Sequence, residues 1–111
     1  LALVGQAAEQ LRRRTGKPVI VTLGLRGMLV VHDQGMNHAP PIPINGPINL
    51  TGASDGAVAA VTAALCAGAT LDEAVELGNL ATAAAMRRTD VTGVASPDQI
   101  IAVWWAYHKG E

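Results

Sequence analysis

The residues best suited to chemistry lie together at Asn49-Leu50-Thr51-Gly52-Ala53-Ser54-Asp55, directly ahead of an alanine-rich helical pattern. Small side chains before a helix let the backbone close on a ligand. The N–H groups of the first turn have no partner inside the helix and, reinforced by its dipole, favour an anion. Asp55, taken by itself at this place, reads as the N-terminal cap of the helix. Other chemistries lack their residues. His32, His38 and His108 are not spaced as metal ligands and read as surface or turn histidines. Cys66, the only cysteine, sits among alanines and reads as a small buried hydrophobe. A serine-nucleophile elbow and a dinucleotide glycine fingerprint are both absent from the sequence.

Several elements must position that segment. Leu3, Ala7 and Leu11 share a helical face, and Arg12, Arg13 and Arg14 suit the negative end of that helix as a solvated terminus. Thr15-Gly16-Lys17-Pro18 stops it. Val19 to Leu23 and Met28 to His32 are compact strand-forming runs, and Gly24-Leu25-Arg26-Gly27 between them predicts a hairpin. Asp33-Gln34-Gly35 is a further turn. Residues 36 to 48 carry Pro40, Pro41, Pro43 and Pro47, which rule out a central strand and leave an edge strand or an extended connection. A helix from Asp55 to about Ala67 follows, with Val58, Val61, Thr62 and Leu65 as its stripe. Thr70-Leu71-Asp72-Glu73 is a capping box for a second helix, which runs to Arg87 or Arg88. Ser96-Pro97-Asp98-Gln99 opens a third, whose apolar side is Ile100, Ile101, Trp104 and Trp105.

Bulk properties bound the function. At 111 residues, half of them hydrophobic but only 3% aromatic and none Phe, the chain supports one modest core built from alanine, valine and leucine. A net charge of -1 and scattered cations argue against nucleic acid as a partner. No apolar run has membrane-spanning length, and the default expectation is a cytoplasmic protein with no membrane partner.

Three motifs, in order, resemble the ribokinase-like (PfkB) carbohydrate kinases. Thr51-Gly52-Ala53-Ser54-Asp55 is similar to that family's T-G-A-G-D signature. Val19-Ile20-Val21-Thr22-Leu23-Gly24-Leu25-Arg26-Gly27, running on to Val31, looks like its V-T-L-G-x-x-G strand pair. Ala69-Thr70-Leu71-Asp72-Glu73-Ala74, running on to Ala81, looks like its S-L-E-E-A…A-N-A-A helix. The wording of 77 to 85 and of 94 to 100 leans toward the heptose-phosphate kinase branch.

The resemblance implies an α/β fold, residues 1–111 forming the C-terminal nucleotide-binding and catalytic-base part of a three-layer α/β/α sandwich. It implies ATP-dependent phosphoryl transfer to a sugar or sugar phosphate, with Asp55 as catalytic base and Gly52, Ala53 and Ser54 as the anion hole. Thr22, Gly24, Gly27 and Asn79 would contact ATP. Mg²⁺ would be held through the nucleotide's phosphates and water rather than by a protein cluster. A homodimer is one assembly the family forms. With most sugar contacts outside the chain, the segment alone is expected to be inactive.

Departures from the family pattern carry their own expectations. Asn49 stands where the family usually has Asp. Together with Thr51 it marks the region of a monovalent-cation site, and loss of the charge puts potassium activation in question. Ser54 replaces a glycine, and serine fits only where the backbone is not left-handed. Gly56 and Val58 lighten the helix start, and Arg87-Arg88-Thr89-Asp90 replaces a T-R-x-G turn. Two rival readings follow: an inactive relative that binds a nucleotide or phosphorylated ligand, and a structural domain in which Gly-Ala-Ser-Asp is only a cap.

Overall fold

A computed structural model describes residues 2–44, 46–88 and 95–109. Thr89 and Asp90 of the expected turn, and Val94 of the tail, lie outside the described residues. The elements run α1 (Ala2–Thr15), β1 (Val19–Thr22), a single 3₁₀ turn (Gly24–Arg26), β2 (Met28–His32), β3 (Gly35–Ala39), α2 (Ala53–Cys66), α3 (Leu71–Met86) and α4 (Pro97–Lys109).

The three strands form an antiparallel meander in the order β1-β2-β3. Val21 pairs with Leu29, and Val30 with Asn37. Because successive side chains on a strand face opposite ways, β2 divides its apolar run between two layers. Met28 and Val30 pack with Ala57, Val61, Ala74 and Val75 of α2 and α3. Leu29 and Val31 pack with Ala8 of α1. This makes a three-layer α/β/α arrangement with β2 buried at its centre. β3 is the edge strand that the prolines allow, and its chain continues without regular structure from Pro40 toward α2.

Helix boundaries follow the expected signals. Gly16, at φ 67°, closes α1, its N–H donating to Arg12 O at 2.8 Å. Thr70 and Glu73 make both bonds of the capping box. Ser96 and Gln99 make the same reciprocal pair at α4, at 3.2 and 2.8 Å.

Helix faces depart from expectation. In α1 the buried residues are Gly5 and Ala8, whereas Leu3 is 80% exposed. In α2 they are Ala53, Ala57, Val61 and Ala64, while Val58 and Leu65 point outward. These helices approach their neighbours through their smallest side chains. A Cβ on Gly78 of α3 would stand 2.6 Å from Val61 Cγ2 and 2.7 Å from Met28 Cε, closer than carbon atoms pack. Cys66, expected to be buried, is exposed at the end of α2. α4 turns Val103 into the core and leaves Trp104 and Trp105 largely outside, in edge-to-face contact.

Candidate active site

The loop from Ile48 to Gly52 is built by its own backbone. Asn49 N–H donates to Met86 O at 2.7 Å, which joins the loop to the C-terminal end of α3. Asn49 Oδ1 accepts from Thr51 N–H at 3.0 Å, turning the chain toward α2. Gly52 then takes φ 75° and ψ 0°, a left-handed conformation that glycine adopts without strain. It is the N-cap of α2 and supplies no side-chain cap bond.

Asp55 is therefore the third helical residue rather than the cap, and it is exposed. The first helical bond runs from Gly56 N to Gly52 O at 3.1 Å. The N–H groups of Ser54 and Asp55 precede it and point out of the helix end, as helix geometry requires. Ala53 N–H is partly engaged by Leu50 O at 3.3 Å. Ser54 is free of the feared conflict, because the described residues with positive φ are all glycines.

The strand pair meets this helix end. Thr22, Gly24 and Gly27 line one narrow crevice together with Ala53, Ser54 and Ala57. Gly24 has φ 61° and Gly27 φ 86°. A Cβ on Gly27 would run into Ala39 O and stand 2.9 Å from Pro41 N. Turn formation and close approach both require glycine at 27.

Beside the crevice, and sharing Gly24, Thr82 and Met86 with it, lies a cleft of about 220 Å³ walled by Leu25, Pro41, Ile42, Ile44, Ile48, Ala83 and Asn79. Small-ligand pockets usually enclose roughly 300–1,000 Å³, so the cleft is smaller than most, and the crevice, at about 10 Å³, adds little to it. Asn79 is buried in α3, and its Nδ2 donates to Pro40 O at 3.0 Å and Ala39 O at 3.4 Å. It thus holds the proline-rich segment in place as a wall of the cleft.

Of the predicted residues, Thr22, Gly24, Gly27, Ala53 and Ser54 come together at the crevice, with Asn79 at the adjoining cleft. Asn49, Thr51, Gly52 and Asp55 line neither cavity and lie on the loop and helix start beside them. A larger cavity of about 640 Å³ lies between β3 and α3, lined by His38, Asp72, Glu76 and Tyr107 among others. Asn79 is the one predicted residue it touches, so volume alone does not locate the chemistry. Thr82 and Met86 were missed by sequence reasoning. Small or apolar residues inside a helical pattern read as packing, and only their position between two cavities marks them. Among the described residues no three His, Cys, Asp or Glu side chains gather as a metal site, and no helix is long and apolar enough to cross a membrane.

The family model for the pfkB family carbohydrate kinases matches residues 1–99. The bifunctional protein HldE of Stutzerimonas stutzeri is 30% identical over 99 residues, which cover 86% of this chain and 20% of that protein. The ribokinase of Thermotoga maritima superposes with a TM-score of 0.83 at 29% identity, over 92% of this chain and 34% of that one. The phosphofructokinase-2 of Escherichia coli, in complex with potassium, gives 0.79 at 29% identity, over 95% and 34%. The chain spans about a fifth of the curated relative and about a third of each solved structure.

Proposed function

The chain belongs to the pfkB family of carbohydrate kinases, and on that basis we propose that it forms the ATP-facing wall and catalytic-base segment of an enzyme that phosphorylates a sugar or sugar-phosphate hydroxyl. The observation that carries this reading is the shared crevice, where the strand-pair residues Thr22, Gly24 and Gly27 meet Ala53 and Ser54 at the start of α2. In this reading a nucleotide base lies against the apolar cleft beside Asn79 and Thr82, and its phosphates pass over the mouth of the crevice toward the positive end of the α2 dipole.

Asp55 is exposed at that end and accepts the proton of the attacking hydroxyl. The hydroxyl oxygen bonds to the γ-phosphorus as the bond to the β–γ bridging oxygen breaks, and ADP leaves. Donors fixed before reaction, from Gly52 to Ser54, stabilise the charge that develops without reorganising. Mg²⁺ would be held through the nucleotide's phosphates and water and, when bound, would supply charge neutralisation there. Asp55 is not itself the cap of α2, since Gly52 is, so a capping role no longer competes with catalysis for this carboxylate. The inactive-relative reading loses part of its motive, because Ser54 needs no left-handed backbone.

The test is ADP release by the intact protein over a panel of sugars and sugar phosphates, heptose phosphates included, with calorimetric titration of Mg·ATP. Saturable ADP release with at least one acceptor supports the proposal. Binding without turnover returns the inactive relative, and absence of nucleotide binding returns the structural domain.

A further inference from the structure

We infer that the Asn49 carboxamide does by hydrogen bonding what a bound monovalent cation does where this position is acidic, so that the site is organised without potassium. The inference rests on the kinase reading above only for its activity arm. Among the described residues, the two ends of the Asn49 carboxamide meet different partners. Its Oδ1 accepts the Thr51 N–H at 3.0 Å, and its Nδ2 donates to the carbonyl of Arg88 at 3.3 Å. Its own N–H donates to Met86 O at 2.7 Å.

The carbonyls at the C-terminal end of α3 are the negative pole of that helix. Asn49 meets this pole with its backbone N–H at Met86 and, with Nδ2, the carbonyl of Arg88 just beyond the helix C-cap, and passes the contact on to the loop that ends at Gly52. The amide's orientation is fixed by its partners, since an N–H faces one side and a C=O the other.

An aspartate in the same place makes the first bond and not the second. It has no donor, and its second oxygen would face the Arg88 carbonyl at a distance where two acceptors repel. A cation between them is the usual remedy for oxygens converging in this way, and the phosphofructokinase-2 of Escherichia coli has a structure in complex with potassium. The donor set here does not fit one: Nδ2 carries hydrogens toward the Arg88 carbonyl that an ion would need. No step of the proposed reaction is routed through a monovalent cation.

The experiment compares the intact wild-type protein with Asn49→Asp in potassium, sodium and tetramethylammonium chloride at equal ionic strength. Thermal stability with Mg·ADP and the rate of ADP release are both read. Wild type is expected to show the same Tm in all three salts and rates within about twofold. Asn49→Asp is expected to lose at least tenfold in rate in tetramethylammonium, and to regain rate and Tm in potassium. A potassium-specific rise in wild-type Tm, or a wild-type rate at least tenfold higher in potassium, overturns the inference. So does an Asn49→Asp protein that matches wild type in tetramethylammonium. If no acceptor is turned over, the kinase reading fails separately, and the wild-type Tm series still decides the inference. That series also decides it if the variant does not fold.

Discussion

At Gly27 two demands fall on one residue, a left-handed backbone at φ 86° and room for the Ala39–Pro41 segment against its α-carbon. Gly27→Ala is therefore expected to destabilise by about 1–3 kcal/mol, as strained backbone positions do. It should also raise the KM for ATP, since Gly27 lines the same crevice as Ser54 and Pro41 walls the adjoining cleft; thermal denaturation and steady-state kinetics measure the two effects. Gly24, which has open space around its α-carbon, should lose less on the same change. Residue types at the site were legible because backbone-driven chemistry needs glycine and small residues in a recognisable order. Asn79 was a candidate site residue from the sequence, but its bonds to Pro40 and Ala39 were not legible, because they join residues about forty positions apart. Thr82 was invisible for a related reason. Its hydroxyl bonds to Gly78 O at 2.8 Å within its own helix, and nothing local distinguishes it from filler.

Among the elements, α3 is the one whose start the sequence states most fully. Thr70→Ala should cost about 1 kcal/mol, the usual value of an N-cap, measurable by urea denaturation. The Glu73 carboxyl is held below its ordinary value by the Thr70 backbone N–H and then by the Thr70 hydroxyl. Glu9 in α1 is held down to about 2 from 4.5, chiefly by the hydrogen bond from Arg12, with Arg13 adding a second. A depressed carboxylate contributes its stability in full above the unfolded value and loses it as pH falls through the folded one. Helicity followed by circular dichroism should thus show the Glu9 contribution fading between pH 4.5 and about 2, and Glu9→Gln should remove that part of the profile. Caps and boundaries were readable because they depend on neighbours three or four residues away. The packed faces of α1 and α2 were not, because hydrophobic periodicity weighs leucine and valine, whereas these helices close on alanine and glycine. Gly78→Val tests that point: overpacking against Val61 and Met28 should destabilise by about 1–3 kcal/mol, where a solvent-facing glycine would lose little.

Taken whole, the molecule has a buried central strand and several large apolar side chains exposed on its helices. Leu3, Leu11, Val58, Leu65, Ile101 and Trp105 are each at least 40% exposed, and exposed apolar surface of this kind drives association. The 111 residues expressed alone are expected to self-associate, seen as a sedimentation coefficient that rises with concentration. A monodisperse monomer at high concentration would contradict that view of the surface. The layering itself was legible from the family motifs and from the strand parity of Met28 to Val31. What the apolar helix faces meet lies beyond the reach of local pattern.

The central claim is that Asp55 takes the proton in a phosphoryl transfer, and the most direct measurement is ADP release by the intact protein with Asp55→Asn beside wild type. Asparagine keeps the shape of the third residue of α2 and removes only the basic carboxylate. A loss of about 10²–10⁴-fold in kcat, with Mg·ATP affinity within a few fold, is the predicted result. Equal rates for the two proteins would contradict the account.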